Sequence, residues 1–334
     1  MISVGAVVIG RNEGERLHRC LESIAARMRS IIYVDSGSSD GSPELARGMG
    51  FDVLELDLST GFTAARARNE GLWRLLSLCP DLQFVQFVDG DCELREGWLA
   101  TGAQVLASRP DVAIVAGRVR ERHPENSRYN RLCDMEWNTP AGEVEACGGI
   151  FMARISAFQA VGGFSPHVIA GEEPELCLRL RQAGWKILRL DAEMVLHDAQ
   201  MMRFGQWWKR ATRGGHSFAE HVWMHGRAAR SALRQVMSML LWAILLPAVA
   251  LGPAWPTRGL SLLLLAGYAL LWLRVYRRKA REGLPRPDAR LYATFILIGK
   301  FAALQGAVRF LWRRLWRRQS TIIEYKAAPA ATSK

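Results

Sequence analysis

The sequence has no CxxC pair among its cysteines, so it lacks the ligand spacing of common zinc sites and of dithiol redox motifs. Scattered thiols of this kind are typical of a reduced cytosolic compartment, and we expect free cysteines rather than a disulfide framework. The N-terminus also lacks a basic stretch, and its apolar run is short, which favours a first β-strand over a signal peptide. The cysteines are Cys20, Cys79, Cys92, Cys133, Cys147 and Cys177.

The two common glycine-rich phosphate-binding motifs are also missing after the first predicted strand. The turn there reads GRNEGE, residues 10–15, and matches neither GxGxxG nor GxxxxGK[ST]. This turn therefore excludes a dinucleotide site of the Rossmann type and a P-loop. A phosphate bound here must therefore be held by contacts other than the backbone N–H groups of a glycine-rich loop.

The composition does not fit a disordered chain, because 23% of the residues are charged and 49% are hydrophobic. A length of 334 residues allows one large domain of roughly 200–250 residues with an appendage. The net charge is +12, and arginine is concentrated after residue 200 beside long apolar runs. This distribution favours an anionic membrane surface as the partner, and no nucleic acid.

Hydrophobic patterning in the first part of the chain predicts strands that alternate with helices. This alternation favours an α/β fold with a mostly parallel sheet and right-handed crossovers. Asn12 and Glu15 have the spacing of a capping box, which predicts a helix start after the first strand. The predicted strands are 2–10, 31–37, 51–56, 84–91 and 113–119, and two of the predicted helices are 63–79 and 96–110.

Polar and acidic side chains follow three of these strands. Asn12 and Glu13 follow the first, Asp35 ends the second, and Asp89 and Asp91 end the fourth. Ligands of such sheets bind beyond the carboxyl ends of the strands, so we expect these side chains to share one site. Carboxylates hold diphosphate through a hard cation such as Mg²⁺ or Mn²⁺. The alternative is that the DGD segment is an ordinary polar turn.

Six segments, in this order, resemble the family 2 glycosyltransferases of GT-A fold over roughly residues 3–225. Three positions depart from the family pattern: Gly10 replaces a usual proline, Ser36 replaces a common second aspartate, and Glu173 replaces the usual aspartate. Each segment alone is weak, and the order and spacing of all six are specific. The segments are VVIGRNE (7–13), VDSGSSDGS (34–42), AARARNEG (64–71), VDGD (88–91), GGIFMARISAFQAVGGF (148–164) and GEEPELCLRLRQAGW (171–185).

The resemblance implies a GT-A fold, a Rossmann-like mixed α/β sheet that binds a nucleoside diphosphate sugar. It implies that Glu13 and Asp35 contact the base and ribose and that Arg68 lies near the nucleotide. Asp89 is expected at the ribose or at the metal. The full predicted nucleotide-sugar-binding set is Asn12, Glu13, Asp35, Arg68 and Asp89.

The same resemblance implies a divalent cation, Mn²⁺ or Mg²⁺, as cofactor. Asp91 would ligate the cation that bridges the two phosphates, with Asp89 as a further candidate ligand. His197 follows another apolar strand and is a third candidate, although an ordinary hydrogen-bonded histidine is the alternative.

Glu173 is implied as the general base that removes the proton of the acceptor hydroxyl. Its side chain is one methylene longer than the usual aspartate, so Glu172 is kept as an alternative base. A further alternative is that both glutamates merely complement the positive end of a helix.

The predicted acceptor side comprises two glycines and two tryptophans. Gly148 and Gly149 belong to the small-residue strand of the resemblance. Trp207 and Trp208 stand among several cationic residues, which suits sugar stacking, a lipid phosphate or a helix at the bilayer interface.

Long apolar runs begin after residue 225 and predict a membrane region over 226–318, after a catalytic domain of residues 1–225. We expect spans at about 236–253 and 259–275, joined as a hairpin with both ends in the cytoplasm because basic residues flank its outer ends. The run at about 291–312 contains charged residues and is predicted to be interfacial or re-entrant, with a third span as the alternative. The tail, 319–334, is predicted to be disordered.

These expectations combine into one function: an inverting, metal-dependent glycosyltransferase of hexosyltransferase type in the inner (cytoplasmic) membrane. Its catalytic domain would face the cytoplasm and move a sugar to a lipid-linked saccharide in envelope or exopolysaccharide assembly. One alternative transfers the sugar to polyprenyl phosphate itself. Another is an inactive membrane scaffold that binds sugar nucleotides.

Overall fold

Valine and isoleucine dominate strand β1 (Val4–Gly10), whose five central residues are buried. The computed structural model describes residues 3–316. They divide into two compact units, the first made of residues 3–123 and 136–200 and the second of residues 124–135 and 201–316. The predicted domain boundary near residue 225 stays a prediction, and the predicted disordered tail (319–334) lies outside the described residues.

The first unit is built on one mixed sheet of nine strands within the described residues, in the order β3-β2-β1-β4-β8-β6-β9-β5, with β7 paired to β9. The strands after β1 are β2 (Ile31–Asp35), β3 (Asp52–Glu55), β4 (Phe84–Asp89), β5 (Cys92–Leu94), β6 (Val112–Glu121), β7 (Gly142–Glu143), β8 (Phe151–Arg154) and β9 (Lys186–His197).

Strand direction confirms the mixed α/β sheet and corrects the expectation that it is mostly parallel. Strands β3, β2, β1 and β4 are parallel neighbours, and β6 is parallel to β9. Strand β8 runs antiparallel to β4 and to β6, and β5 runs antiparallel to β9. The register pairs Gly10 with Asp35 and Ile9 with Asp89, so the ends of β2 and β4 lie on either side of the end of β1.

Twelve α-helices occur in the described residues. The predicted capping box after β1 is wrong: the N-cap position is Gly14, with φ 52°, and the helix begins at Glu15. The helices are α1 (Glu15–Ala25), α2 (Ser42–Gly48), α3 (Ala64–Leu78), α4 (Trp98–Ser108), α5 (Arg128–Trp137), α6 (Ile155–Ala160), α7 (Glu172–Gln182), α8 (Phe204–His225), α9 (Arg230–Leu240), α10 (Leu246–Leu251), α11 (Ala266–Arg281) and α12 (Arg286–Leu315).

An aromatic cluster in the core supports the carboxyl end of β4. The ring of Phe87 lies 5.3 Å from that of Phe151, 5.5 Å from that of Phe158 and 5.6 Å from that of Phe164, measured between centroids. Such tilted and edge-on pairs add specific geometry to the burial of apolar area. Helix α3 lies close against the same sheet, since a Cβ on Gly71 would come within 2.5 Å of Val7. The carboxyl ends of the strands that carry the acidic residues are therefore supported by a well-packed core.

The second unit is helical, and α8 and α12 cross closely within it. A Cβ on Gly215 would lie 1.9 Å from the carbonyl oxygen of Ala303, and one on Gly306 would lie 1.9 Å from that of Thr212. Three helical segments of this unit are long and apolar enough to cross a membrane: Arg230–Leu251, Leu260–Arg281 and Arg286–Leu315. The first joins α9 to α10 through the π-helical Leu241–Leu245, the second joins the 3-10 helix Leu260–Leu265 to α11, and the third is α12. They contain the three predicted apolar segments almost completely.

Candidate active site

Asp35 ends β2 and holds the turn that follows it. Its Oδ2 accepts the N–H of Gly37 at 2.9 Å and of Ser38 at 2.7 Å, while Oδ1 accepts the hydroxyls of Tyr33 at 2.8 Å and of Ser38 at 2.5 Å. The carboxylate is buried. Four donors fix its orientation, so this residue shapes the rim of the site as well as being a candidate ligand contact.

The turns after β1 and β2 are tied together by Asn12. Its backbone N–H donates to the Ser38 hydroxyl at 2.9 Å, and its side-chain oxygen accepts the N–H of Ser39 at 2.8 Å. Asn12 adopts φ 54°, a left-handed conformation that asparagine tolerates. Next to it, the buried carboxylate of Glu13 pairs with Arg16 at 2.7 Å. Asn12, Glu13 and Asp35 thus belong to adjacent turns, as predicted.

Arg68, on α3, joins two acidic segments. Its Nη2 lies 2.7 Å from Asp89 Oδ1 at the end of β4, and its Nη1 lies 2.7 Å from Glu172 Oε1 at the start of α7. Burial disfavours the charge of this guanidinium, but the two carboxylates outweigh that cost and raise the pKa of Arg68 above its ordinary value. Arg68 therefore stays charged and holds the end of β4 against the first turn of α7.

Asp91 and His197 are brought together by strand pairing. Strand β5 pairs antiparallel with β9 so that Cys92 opposes His197, and His197 Nε2 lies 3.4 Å from Asp91 Oδ2. The other ring nitrogen, Nδ1, lies 3.7 Å from Glu121 Oε2, and the ring of Trp137 packs edge-on at 4.5 Å. The imidazole is therefore oriented on three sides.

This arrangement can hold a divalent cation. Donor atoms of Asp91, Cys92 and His197 all lie within 4.8 Å of one another. The Asp91 carboxylate is the kind of ligand that Mn²⁺ and Mg²⁺ prefer, and the His197 imidazole could add a nitrogen ligand. The Cys92 thiol lies 3.5 Å from Asp91 Oδ1, positioned to donate to it. Asp89, in contrast, has one oxygen committed to Arg68.

The first turn of α7 carries three glutamates with different partners. Glu172 pairs with Arg68 at 2.7 Å, and Glu175 pairs with Arg179 at 2.6 Å. Glu173 instead lies in a buried pocket. The backbone N–H of Gly148 is one hydrogen-bond donor to its carboxylate, and three further donors bond Oε1. These three donors are the backbone N–H of Cys147 at 2.6 Å, the thiol of Cys147 at 3.2 Å and the thiol of Cys177 at 3.0 Å.

Burial raises the pKa of the Glu173 carboxyl, and the hydrogen bonds to Oε1 offset only part of that rise. A raised carboxyl pKa is the usual property of a general base that must work near neutral pH. Glu172 is paired with the Arg68 guanidinium, so Glu173 is the better candidate for the general base.

Comparison with known proteins agrees with this geometry. Residues 6–160 match Glycosyl transferase family 2. Residues 132–203 match the N-terminal domain of galactosyltransferase. The chain is a glycosyltransferase whose residues 6–160 match family 2.

Two curated relatives are glycosyltransferase AglE of Haloferax volcanii and succinoglycan biosynthesis protein ExoA of Rhizobium meliloti. AglE is 27% identical over 256 residues, which cover 72% of this chain and 80% of AglE. ExoA is 27% identical over 237 residues, which cover 67% of this chain and 69% of ExoA. Both are similar to this glycosyltransferase along most of their length.

A solved mannosyltransferase from Pyrobaculum calidifontis, in complex with GDP-Man and Mn²⁺, shares the fold. The TM-score is 0.58 at 17% sequence identity, with 93% of this chain and 87% of that chain covered. The GT-A fold of this glycosyltransferase is therefore confirmed.

The glycine pair of the glycosyltransferase also lies at this site. A Cβ on Gly149 would come 2.9 Å from Arg68 Nη2 and 3.6 Å from Asp89 Oδ2, so the absence of a side chain makes room for the guanidinium. Gly148 is exposed and has φ 98°, a conformation that favours glycine. Both glycines are predicted to face the acceptor, and that role stays a prediction.

The tryptophan pair lies on α8 in the second unit. Trp207 is buried and packs edge-on against Phe295 at 4.7 Å, while Trp208 Nε1 donates to Gln305 Oε1 at 2.7 Å. Both rings are thus fixed against α12. Their predicted role toward the acceptor stays a prediction.

Several residues of the site were not predicted from the sequence. Cys147 directly precedes the glycine pair, and Cys177 lies four residues after Glu173, one helical turn away, so spacing could have identified Cys177. Glu121 could not be found in this way, because only the pairing of β6 with β9 places it beside His197.

Proposed function

We propose that this glycosyltransferase moves a sugar from a nucleoside diphosphate sugar to an acceptor hydroxyl by direct displacement, with inversion at the anomeric carbon. The observation that carries the proposal is that Arg68 pairs with both Asp89 and Glu172, and so links two segments of the site. The cation donors Asp91 and His197 stand next to the end of β4, and Glu173 stands in the first turn of α7.

Asp91 and His197 would hold the divalent cation, and their side chains fit it in donor type and separation. When bound, Mn²⁺ or Mg²⁺ would neutralise the negative charge that develops on the departing diphosphate. The paired turns around Asn12, Glu13 and Asp35 would receive the base and ribose. The Pyrobaculum mannosyltransferase was solved in complex with GDP-Man and Mn²⁺, which supports this assignment.

Glu173 would take the proton of the acceptor hydroxyl as that oxygen attacks. Its Oε1 accepts the Cys147 amide and two thiols, and either carboxylate oxygen of Glu173 could take the proton. If the base faces the cation-bound leaving group, as the resemblance implies, the hydroxyl would attack from the opposite face of the sugar. This geometry is the reason for expecting inversion.

The acceptor is proposed to be a lipid-linked saccharide at the cytoplasmic face of the inner membrane. Three helices with the length and composition of membrane spans support a membrane location, and the name of ExoA supports a role in polysaccharide biosynthesis. Arginines before Arg230–Leu251 and after Leu260–Arg281 favour a hairpin whose ends are cytoplasmic. Transfer to polyprenyl phosphate is the rival, and assays with each acceptor distinguish the two.

The third apolar segment is one continuous helix of 30 residues, Arg286–Leu315. Its length favours a third span over a re-entrant helix, because a re-entrant segment must turn back within the bilayer. Basic residues at both ends of this helix still favour an interfacial position. Its relation to the bilayer remains a proposal.

Nucleotide release measures the proposed function directly. With Mn²⁺ and a UDP- or GDP-sugar, the wild-type protein should release nucleotide, and Asp91→Ala should lose that activity. The matched control is Asp81→Ala, which removes an exposed aspartate and should behave as wild type. Equal release from wild type and Asp91→Ala would overturn the assignment of Asp91, and release from neither would favour an inactive scaffold.

A further inference from the structure

A second cluster of donor atoms lies around Glu173, apart from the group formed by Asp91 and His197. The Sγ atoms of Cys147 and Cys177 and a carboxylate oxygen of Glu173 all lie within 4.8 Å of one another. All three residues are buried. Two thiols and a carboxylate facing one point form a set of three potential metal ligands.

The chemistry of this set differs from that of the Asp91 group. Thiolates prefer soft or borderline cations such as Zn²⁺ and Cd²⁺, whereas Mn²⁺ and Mg²⁺ prefer oxygen. Tetrahedral zinc with bonds of about 2.3 Å to sulfur and about 2.0 Å to oxygen separates these ligands by about 3.5 Å. The separations from Glu173 Oε1 are 3.2 Å to Cys147 Sγ and 3.0 Å to Cys177 Sγ, so shifts of a few tenths of an ångström would admit the ion.

The surroundings supply access and charge balance. Cys147 is followed by the exposed Gly148, where an added Cβ would meet no heavy atom within 4 Å among the described residues, so the chain next to this ligand is open to solvent. A divalent ion with two thiolates and a carboxylate carries a net charge of about −1. Arg189 is positioned to offset that charge, because its Nη2 donates to the Cys147 carbonyl at 2.9 Å.

We propose that Cys147, Glu173 and Cys177 form a binding site for Zn²⁺, with water as the fourth ligand, and that loading this site inhibits sugar transfer. Binding releases the protons of both thiols and places the Glu173 carboxylate on the metal. The inhibitory part rests on the proposed function, in which Glu173 removes the acceptor proton. The site itself does not depend on that function.

Cadmium titration of the full-length protein tests the site. Saturating Mg²⁺ is added first to occupy the group formed by Asp91 and His197. Cd²⁺ is then added while the ultraviolet charge-transfer absorption of cadmium thiolate is recorded. Wild type should give a saturable band that Cys147→Ser/Cys177→Ser loses. Cys92→Ser is the matched control, because it removes the thiol beside Asp91 and should keep the band. A band unchanged in the double variant, or lost in Cys92→Ser alone, would overturn the site.

Zinc inhibition tests the second part. Nucleotide release by wild type should fall when Zn²⁺ is added and return with a chelator, whereas the double variant should keep the same fraction of its own activity at each Zn²⁺ concentration. If the double variant loses the cadmium band but both proteins are equally sensitive to Zn²⁺, the metal site is supported and its inhibitory role is overturned. If the double variant unfolds, Cys177→Ala alone should still lose most of the band, and retention of the full band would overturn the site.

Discussion

Arg68 holds two carboxylates from different elements while almost entirely buried, with 2% of its side chain exposed. Removing one member of such a group leaves the other charges without a partner, which costs more than the group contributes as a whole. At the scale of single residues, the stability of the site and its catalytic geometry therefore depend on the same side chain.

Arg68→Ala should lower the free energy of unfolding by about 3–5 kcal/mol, because Asp89 and Glu172 lose their shared cation. Arg68→Lys should lie between this variant and wild type, since one ammonium cannot bridge both carboxylates in the way a guanidinium does. Chemical denaturation in detergent measures the difference. Arg74→Ala, which breaks an exposed pair with Asp52, is the control and should change stability by less than about 1 kcal/mol.

Glu173→Gln should reduce kcat about 10²–10⁴-fold while donor binding is retained, because the amide cannot accept the acceptor proton. The wild-type rate should also fall as pH is lowered, with a midpoint above the ordinary range of a glutamate, since burial raises the pKa of Glu173 and the base works only when deprotonated. Steady-state rates across pH check both. A full rate in Glu173→Gln would contradict the assignment, and Glu44→Gln at an exposed position is the control.

At the scale of elements, the ends of the first, second and fourth predicted strands could be read from the sequence. The apolar runs before Asp35 and Asp89 mark both strands, and the structure ends them at these aspartates, two residues before the ends of the predicted ranges 31–37 and 84–91. The antiparallel insertion of β8 between β4 and β6 could not be read, because short apolar strands carry no signal of their direction. The contact between Asp91 and His197 depends on pairing over a long sequence separation, and the sequence suggested it only through the apolar strand that precedes His197.

The α8–α12 crossing gives a sharp test at this scale. Gly215→Ala and Gly306→Ala should each destabilise the protein by about 1–3 kcal/mol, because the new methyl group would collide with backbone of the facing helix. Gly214→Ala is the matched control on the same helix. There a Cβ meets no heavy atom of the described residues within 4 Å, so alanine should raise stability by about 0.5–1 kcal/mol through its better helix propensity. Thermal unfolding in detergent distinguishes these outcomes, and similar effects at all three glycines would contradict the crossing.

At the scale of the whole molecule, the charge distribution predicts orientation in the membrane. Trp255 lies between the first two candidate spans and is 93% exposed, and Gly283 follows the second. In intact cells, Trp255→Cys should react with a membrane-impermeant thiol reagent, whereas Gly283→Cys should react only after the membrane is opened. The reverse pattern would contradict the cytoplasmic orientation of both ends of the hairpin, and wild type controls for the native cysteines.

The thermal stabilisation of the protein by UDP- and GDP-sugars, measured with and without Mn²⁺, tests the central claim most directly. A ligand that binds the folded state raises the melting temperature. The account predicts a shift with one of these donors that requires Mn²⁺, is lost in Asp91→Ala and persists in Glu173→Gln. A shift that is the same in Asp91→Ala as in wild type would contradict the claim that Asp91 holds the cation on which the sugar nucleotide is bound.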